Sequence, residues 1–335
     1  MRIVVLGAGI VGVHVAAELA RRGADVTLVE AGEPGRGTTA GSLAWIDASA
    51  PGIADYLELR LLGVRAWRRR GDEPWLSLPG TVAWARDPSG LASHAERLER
   101  FGECVERLDV RAALRHEPDL VLPPDVDVVY RFPGEGWVQA APAIAALLER
   151  GRADGLQVRT GTPGHPLQFD DVVVSCVGRW TGSALDDAVP MLGDDDPGVA
   201  GFVVRTGAVR ARIGSVIVAD GLLIRPESGG RLLLHSDACD ADPPPTGDIL
   251  LEMLRRRVRG AERASIEDAW VCRRAIPADR LPVVGWAREK LYVVATHSGV
   301  TLAPALAELV ASEVIDGLGR DVLTRFRPGR FRSVV

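Results

Sequence analysis

The sequence predicts an α/β fold of two lobes, one on a parallel sheet and one on a largely antiparallel β-sheet plus helices. Three observations predict it. The first thirty residues alternate strand, glycine-rich turn, helix and strand. Short apolar runs of the kind that form strands buried on both faces recur at Asp171–Gly178 and Leu291–Ala295. Between them lie four strand-like runs at hairpin spacing, Phe202–Thr206, Ser215–Val218, Leu222–Arg225 and Arg231–His235.

The opening unit carries the clearest physical logic. Arg2–Leu6 is a β-branched apolar strand, and Gly7-Ala8-Gly9-Ile10-Val11-Gly12 follows it directly. An amphipathic helix is predicted from Val13 to Arg22, ended by Gly23, and a second strand from Ala24 to Glu30. Gly7 permits the tight turn, Gly9 admits a pyrophosphate to the backbone, and Gly12 lets the helix pack against the strand. The free N–H groups at the helix start favour diphosphate charge. Glu30 is placed to accept hydrogen bonds from a ribose 2′-OH and to repel a 2′-phosphate, which disfavours NADP. Strand, G-x-G-x-x-G, helix, strand and acid together predict a Rossmann-like dinucleotide-binding lobe, with Ile10, Val11 and Ala31 in the same site.

The chain then continues through a loop at 33–37 into Thr38-Thr39-Ala40-Gly41-Ser42, small residues that can offer hydroxyl and backbone donors to phosphate or simply cap a turn. Leu43 and Trp45 follow, and Trp45 could wall a ring-shaped ligand. Helices are predicted at Tyr56–Arg70, Gly90–Phe101, Arg111–Arg115, Ala141–Arg150, Ile249–Val258 and Leu302–Gly317. Further strands are predicted at Gly80–Ala85, Val126–Phe132, Leu156–Arg159 and Ser265–Arg274, a turn at Gly134–Gly136, and a rigid loop at Asp242–Pro245.

The composition sets bounds. The 335 residues are 47% hydrophobic and 25% charged, enough for a large core in each of two lobes. A net charge of -5 offers no basic surface to nucleic acid, and no apolar run is long enough to span a membrane. Cys104, Cys176, Cys239 and Cys272 show no metal or redox spacing, so reduced thiols in a cytoplasmic protein without a metal centre are expected. There is no G-x-S-x-G and no H-E-x-x-H. The sequence carries no signal for oligomeric state.

A second fingerprint stands near the end. Arg273-Arg274-Ala275-Ile276-Pro277-Ala278-Asp279-Arg280-Leu281-Pro282-Val283-Val284-Gly285 precedes the strand Leu291–Ala295, and Thr296-His297-Ser298-Gly299-Val300-Thr301-Leu302-Ala303-Pro304 opens a helix. This resembles the flavoenzyme family of D-amino-acid oxidase, glycine oxidase and sarcosine oxidase. That family carries an R-P-x-x-x-D-x-x-P-x-I-G element, a strand, and a G-H-x-G-x-x-x-A-P helix start. Ala275 stands where the family usually has proline, and Thr296 where it has glycine. The likeness extends to Gly37–Ser42, to Pro133–Trp137, to Asp171–Trp180, and to Ile224-Arg225-Pro226 with Gly230-Arg231-Leu232. One region departs: the family's three-stranded excursion between the strands near Val158 and Val173 is cut to about a dozen residues.

The resemblance implies FAD as the dinucleotide. It implies a discontinuous FAD lobe (1–50, 134–200, 275–335) and a substrate lobe (51–133, 201–274). It implies cofactor contacts at Gly7, Gly9, Ile10, Val11, Gly12, Glu30, Ala31, Thr38, Thr39, Ser42, Leu43, Val158, Gly178, Trp180, Gly285, Ser298, Gly299, Val300, Thr301 and Leu302. The implied chemistry is oxidation of the C–N bond of an amino acid or small amine, by hydride transfer to flavin N5, to give an imine. An electron-transferring dehydrogenase, or a non-catalytic FAD-carrying subunit, stays open beside an oxidase. Arg274 falls where the family grips a substrate carboxylate, with Arg273 as the alternative. Arg231 falls where the sarcosine-oxidase branch holds a lysine near N5. His297 is a structural residue at the helix entry or a residue facing the flavin, His235 and Trp45 are pocket walls, and Cys272 is an inert thiol rather than a covalent flavin anchor.

Overall fold

The opening apolar run lies at the centre of a six-stranded sheet. The structure, a computed structural model, describes residues 1–50, 56–85, 87–236 and 246–331. Cys239 and the loop Asp242–Pro245 lie outside them. The sheet runs in the order Val283–Arg288, Leu291–Ala295, Val172–Ser175, Arg2–Leu6, Asp25–Val29, Gln157–Arg159. Every pair is parallel except that of the first two strands. Such strands need apolar residues on both faces. Ile3 and Val5 join a core built with the helices Ile10–Arg21, Ala140–Ala153 and Gly299–Val314, while Val4 and Leu6 face a second core with Leu185 and Val189.

The second large sheet has eight strands: Ile266–Arg273, Ala200–Thr206, Arg231–Ser236, Leu222–Glu227, Val216–Ala219, Thr81–Trp84, Val129–Phe132 and Glu106–Leu108. All neighbours are antiparallel except Val216–Ala219 with Thr81–Trp84. Its register aligns one row of side chains across six strands: Trp270, Val203, His235, Leu223, Val218 and Ala83. Directly opposed residues share a face, so this row forms a floor. A third sheet has three strands, in the order Trp45–Ile46, Gly136–Val138, Leu76–Ser77.

The fold departs from the sequence reading in a few places. The residues read as a turn at Gly134–Gly136 lead into the middle strand of the small sheet. Val283–Arg288 is a strand the sequence reading did not propose, and the last helix begins at Gly299 rather than Leu302. Between Arg159 and Val172 the chain forms a single 3-10 turn, Pro166–Gln168, in place of an excursion. That loop lies over the first two strands, where a Cβ on Gly164 would sit 2.9 Å from Leu6 Cδ2.

Candidate active site

Two helix N-termini, those of Ile10–Arg21 and Gly299–Val314, meet at one groove. Gly9, Ile10, Val11, Thr38, Thr39, Ser42, Gly178, His297, Gly299 and Val300 line it, around a cavity of about 110 Å³. The glycines explain its shape. Gly7 has φ +91°, and a Cβ on Gly12 would lie 1.9 Å from Gly7 O, so the protein itself forbids side chains there. In front of Gly9 the nearest protein atom to such a Cβ is Thr39 Oγ1 at 3.4 Å. The protein leaves that space open, and a diphosphate fits it with the backbone N–H groups and N-terminal pole of the first helix facing its charge. Thr39 Oγ1 also accepts the N–H of Ile10 at 3.1 Å, tying the small-residue loop to the glycine turn. Glu30 accepts the N–H groups of Ala8 (2.7 Å) and Gly32 (2.8 Å), which fix its carboxylate at the end of the second strand, where a ribose would fit. The residues present therefore fit an FAD diphosphate and ribose.

From this groove the space continues into a cavity of about 180 Å³ lined by Thr38, Ser42, Leu43, Ala44, Trp45, Asp47, Val203, Leu223, His235, Cys272, Arg274, His297, Ser298 and Thr301. It then opens into one of about 840 Å³. His297 lines all three spaces, and Trp45, Leu223 and Arg274 line the second and third. Trp45 is fixed as a wall by its Nε1–H, which donates to Thr81 Oγ1 at 3.1 Å. Arg274 Nη1 donates to Gly198 O at 3.1 Å, and Nη2 to His235 Nε2 at 2.9 Å. The His235 ring is itself anchored, its Nδ1 lying 3.1 Å from Phe202 O. Gly201 makes the pair possible: a Cβ there would stand 2.6 Å from His235 Cε1 and 2.7 Å from Arg274 Nη2. The sequence reading missed Gly201, although a glycine inside a strand is the usual mark of a close approach.

Beside the cavity of about 180 Å³, the ring cavity that Trp45 walls, lies a buried polar layer that the sequence reading also missed. Arg60 is fully buried and pairs with Asp47, and it donates to Ala50 O at 3.3 Å. Glu135 accepts the N–H groups of Ala48 (2.7 Å) and Ser49 (2.8 Å) and the Ser49 hydroxyl. Burial, and then the neighbouring Asp47 charge, pushes the Glu135 carboxyl up to about 7. Thr301 Oγ1 accepts from Asp47 N at 3.2 Å, and Tyr56 OH meets Ser298 Oγ at 2.9 Å. The Asp47–Thr301 bond ties residues 47–50 to the start of the last helix, and Arg60 and Glu135 hold the same residues from the helix Leu57–Arg68 and from the start of the small sheet's middle strand. Their signal was Arg60 itself, a charge on the apolar stripe Leu57, Leu61, Val64.

Several sequence-derived positions fall elsewhere. Arg231 requires correction: it opens the strand Arg231–Ser236 beside the hairpin turn, pairs with Glu267 at 2.7 Å, and lines none of the three spaces. His235, at the other end of the same strand, is in the site. Leu302 is fully buried in the helix core, and a Cβ on Gly285 would face Arg327 and Pro328 rather than the groove. Val158 sits on the edge strand Gln157–Arg159. Trp180 is 52% exposed, with Arg179 over its ring. A Cβ on Gly299 would touch Val11 Cγ2 at 3.3 Å, so this glycine also serves the crossing of the two helix starts. Ala31 lies beside Glu30 in the loop after the second strand. Cys272 is buried on the ring cavity, and burial pushes its thiol pKa up.

Residues 2–313 match the family described as FAD dependent oxidoreductase, DAO. The chain belongs to this family. Its cofactor is FAD, and the protein is an FAD-dependent oxidoreductase. Glycine oxidase of Geobacillus kaustophilus (strain HTA426) is 26% identical to it, over 93% of this chain and 92% of that protein. The crystal structure of glycine oxidase from Geobacillus kaustophilus superposes with a TM-score of 0.78 at 23% identity, covering 98% of this chain and 99% of that one. L-proline dehydrogenase from P. horikoshii superposes with a TM-score of 0.83 at 20% identity, covering 98% and 97%. This DAO-family flavoprotein thus shares the family fold along nearly all its length. No helix among the described residues is long and apolar enough to cross a membrane.

Proposed function

We propose that this flavoenzyme oxidises the C–N bond of an amino acid, gripping the substrate carboxylate with Arg274. The observation that carries the reading is the Arg274–His235 pair at the junction of the ring cavity and the 840 Å³ cavity. Bound FAD supplies the hydride acceptor for this chemistry at its N5. The chain's own residues position and shield. Arg274 presents a planar fork matched to a carboxylate. Gly198 O and His235 fix its orientation, so little side-chain entropy is lost when an anion arrives. Trp45 and Leu223 wall the same junction with apolar surface. The N-terminal pole of Gly299–Val314 faces the ring cavity and favours negative charge arriving there. In this reading the six-stranded sheet belongs to the FAD lobe (1–50, 134–200, 275–335) and the eight-stranded sheet to the substrate lobe (51–133, 201–274).

The test is anaerobic flavin reduction by the best amino-acid substrate in wild type and Arg274→Leu. Removing one partner of a buried charge pair costs about 2–5 kcal/mol, or roughly thirty-fold to several thousand-fold in kcat/KM. Arg274→Lys should not restore it, because the fork is lost. An unchanged rate and saturation constant in Arg274→Leu would overturn the assignment. Peroxide release against dye reduction, on the same protein, separates oxidase from dehydrogenase.

A further inference from the structure

The cavity beyond Arg274 is far larger than a small amino acid requires. We infer that the substrate carries a large, uncharged apolar side group, aromatic in size, lying along the floor of the eight-stranded sheet. This rests on the amino-acid reading above. The floor row runs from His235 through Leu223 and Val218 to Ala83. Strands are spaced about 4.8 Å apart, so Val218 lies about 10 Å and Ala83 about 14 Å from the carboxylate clamp. Leu223, Val218 and Ala83 are apolar, and Trp84, Leu91 and Ile276 line the same space. The carboxylates at its margin are engaged: Asp87 accepts the N–H of Ser89 at 3.0 Å, and Asp220 pairs with Arg257 at 3.6 Å. Among the described residues the wall has one other arginine, Arg280, which donates to Pro197 O at 2.7 Å. A charged side group would be desolvated against this floor, and a glycine would leave most of the 840 Å³ unfilled.

The experiment separates size from chemistry. Calorimetric titration of the FAD-loaded protein compares propanoate with 3-phenylpropanoate, carboxylates without an oxidisable amine. The aryl acid should bind roughly a hundredfold more tightly, the gain expected for burying a phenyl group. Val218→Phe, which fills the floor, should cut that ratio by about tenfold or more, with flavin content and circular dichroism as folding controls. Equal affinities in wild type, or a ratio unmoved by Val218→Phe, would overturn the inference. In parallel, anaerobic flavin reduction compares glycine with both enantiomers of phenylalanine and tryptophan, and the aromatic acids should be the faster. If the aryl acid binds but no amino acid reduces the flavin, the amino-acid reading falls while the size of the site stands. If glycine is the fastest and the aryl acid shows no preference, the reading stands and this inference falls.

Discussion

Gly201→Ala offers a sharp probe of how the site is built. Gly201 sits inside the strand Ala200–Thr206, opposite Cys272, and no left-handed φ is required of it, so alanine is compatible with its backbone. The added Cβ would, however, fall 2.6 Å from His235 Cε1, 2.7 Å from Arg274 Nη2 and 3.3 Å from Arg274 Cζ. Ordinary carbon contacts are about 3.5–4.0 Å, so the pair must retreat by about 1 Å. A misplacement of that size in a positioning group costs about a hundredfold in rate. Stopped-flow reduction under anaerobic conditions measures the effect. The kcat/KM for the best amino acid should fall about a hundredfold, while a matched amine lacking the carboxylate should lose far less. FAD content and melting temperature should stay near wild type. Full activity toward the amino acid in Gly201→Ala would refute the reasoning, as would equal losses for the two substrates.

Three further outcomes follow from the geometry. Gly9→Val should fold yet lose FAD, since the added side chain enters the diphosphate space, whereas Gly12→Ala should fold poorly because its Cβ meets Gly7 O at 1.9 Å; flavin absorbance against circular dichroism distinguishes the two. FAD should be released intact by acid from wild type and from Cys272→Ala alike, and colour retained on the precipitate of wild type alone would show a thioether. Burial and the nearby Arg70 lower the pKa of His14, itself 1% exposed, to about 3. Because the unfolded chain then binds the extra proton between about pH 3 and 6.5, stability is full above 6.5 and is lost as pH falls. Wild type should lose about 2 kcal/mol more than His14→Gln between pH 8 and pH 5, and parallel pH profiles in chemical denaturation would contradict this.

Much of the fold was legible because its signals are local. The run Arg2–Glu30 announces itself through β-branched residues, glycine spacing and a terminal acid. The floor strands show through hairpin spacing. The small sheet was not legible, because Trp45–Ile46 and Leu76–Ser77 are two residues each and carry no periodicity. Gly9, Thr39, Arg274 and His297, which local motifs single out, line the adjoining spaces, because a motif fixes the local chain path. The lining was illegible where position depends on which end of a strand faces the pocket. Arg231 and His235 share one strand, and four residues at about 3.3 Å each carry Arg231 some 13 Å from the clamp, out to Glu267. The Asp47–Arg60 and Glu135–Ser49 contacts join residues 13 and 86 positions apart, and nothing local marks such pairings.

The central claim is that this DAO-family protein delivers a carboxylate-anchored amine to its flavin. The most direct measurement is to mix FAD-loaded protein anaerobically with a panel of amino acids and follow the flavin absorbance. The account predicts bleaching by at least one amino acid and weaker bleaching by the corresponding amine without a carboxylate. An oxidised spectrum that persists with every amino acid, or equal bleaching by the decarboxylated amine, would contradict it.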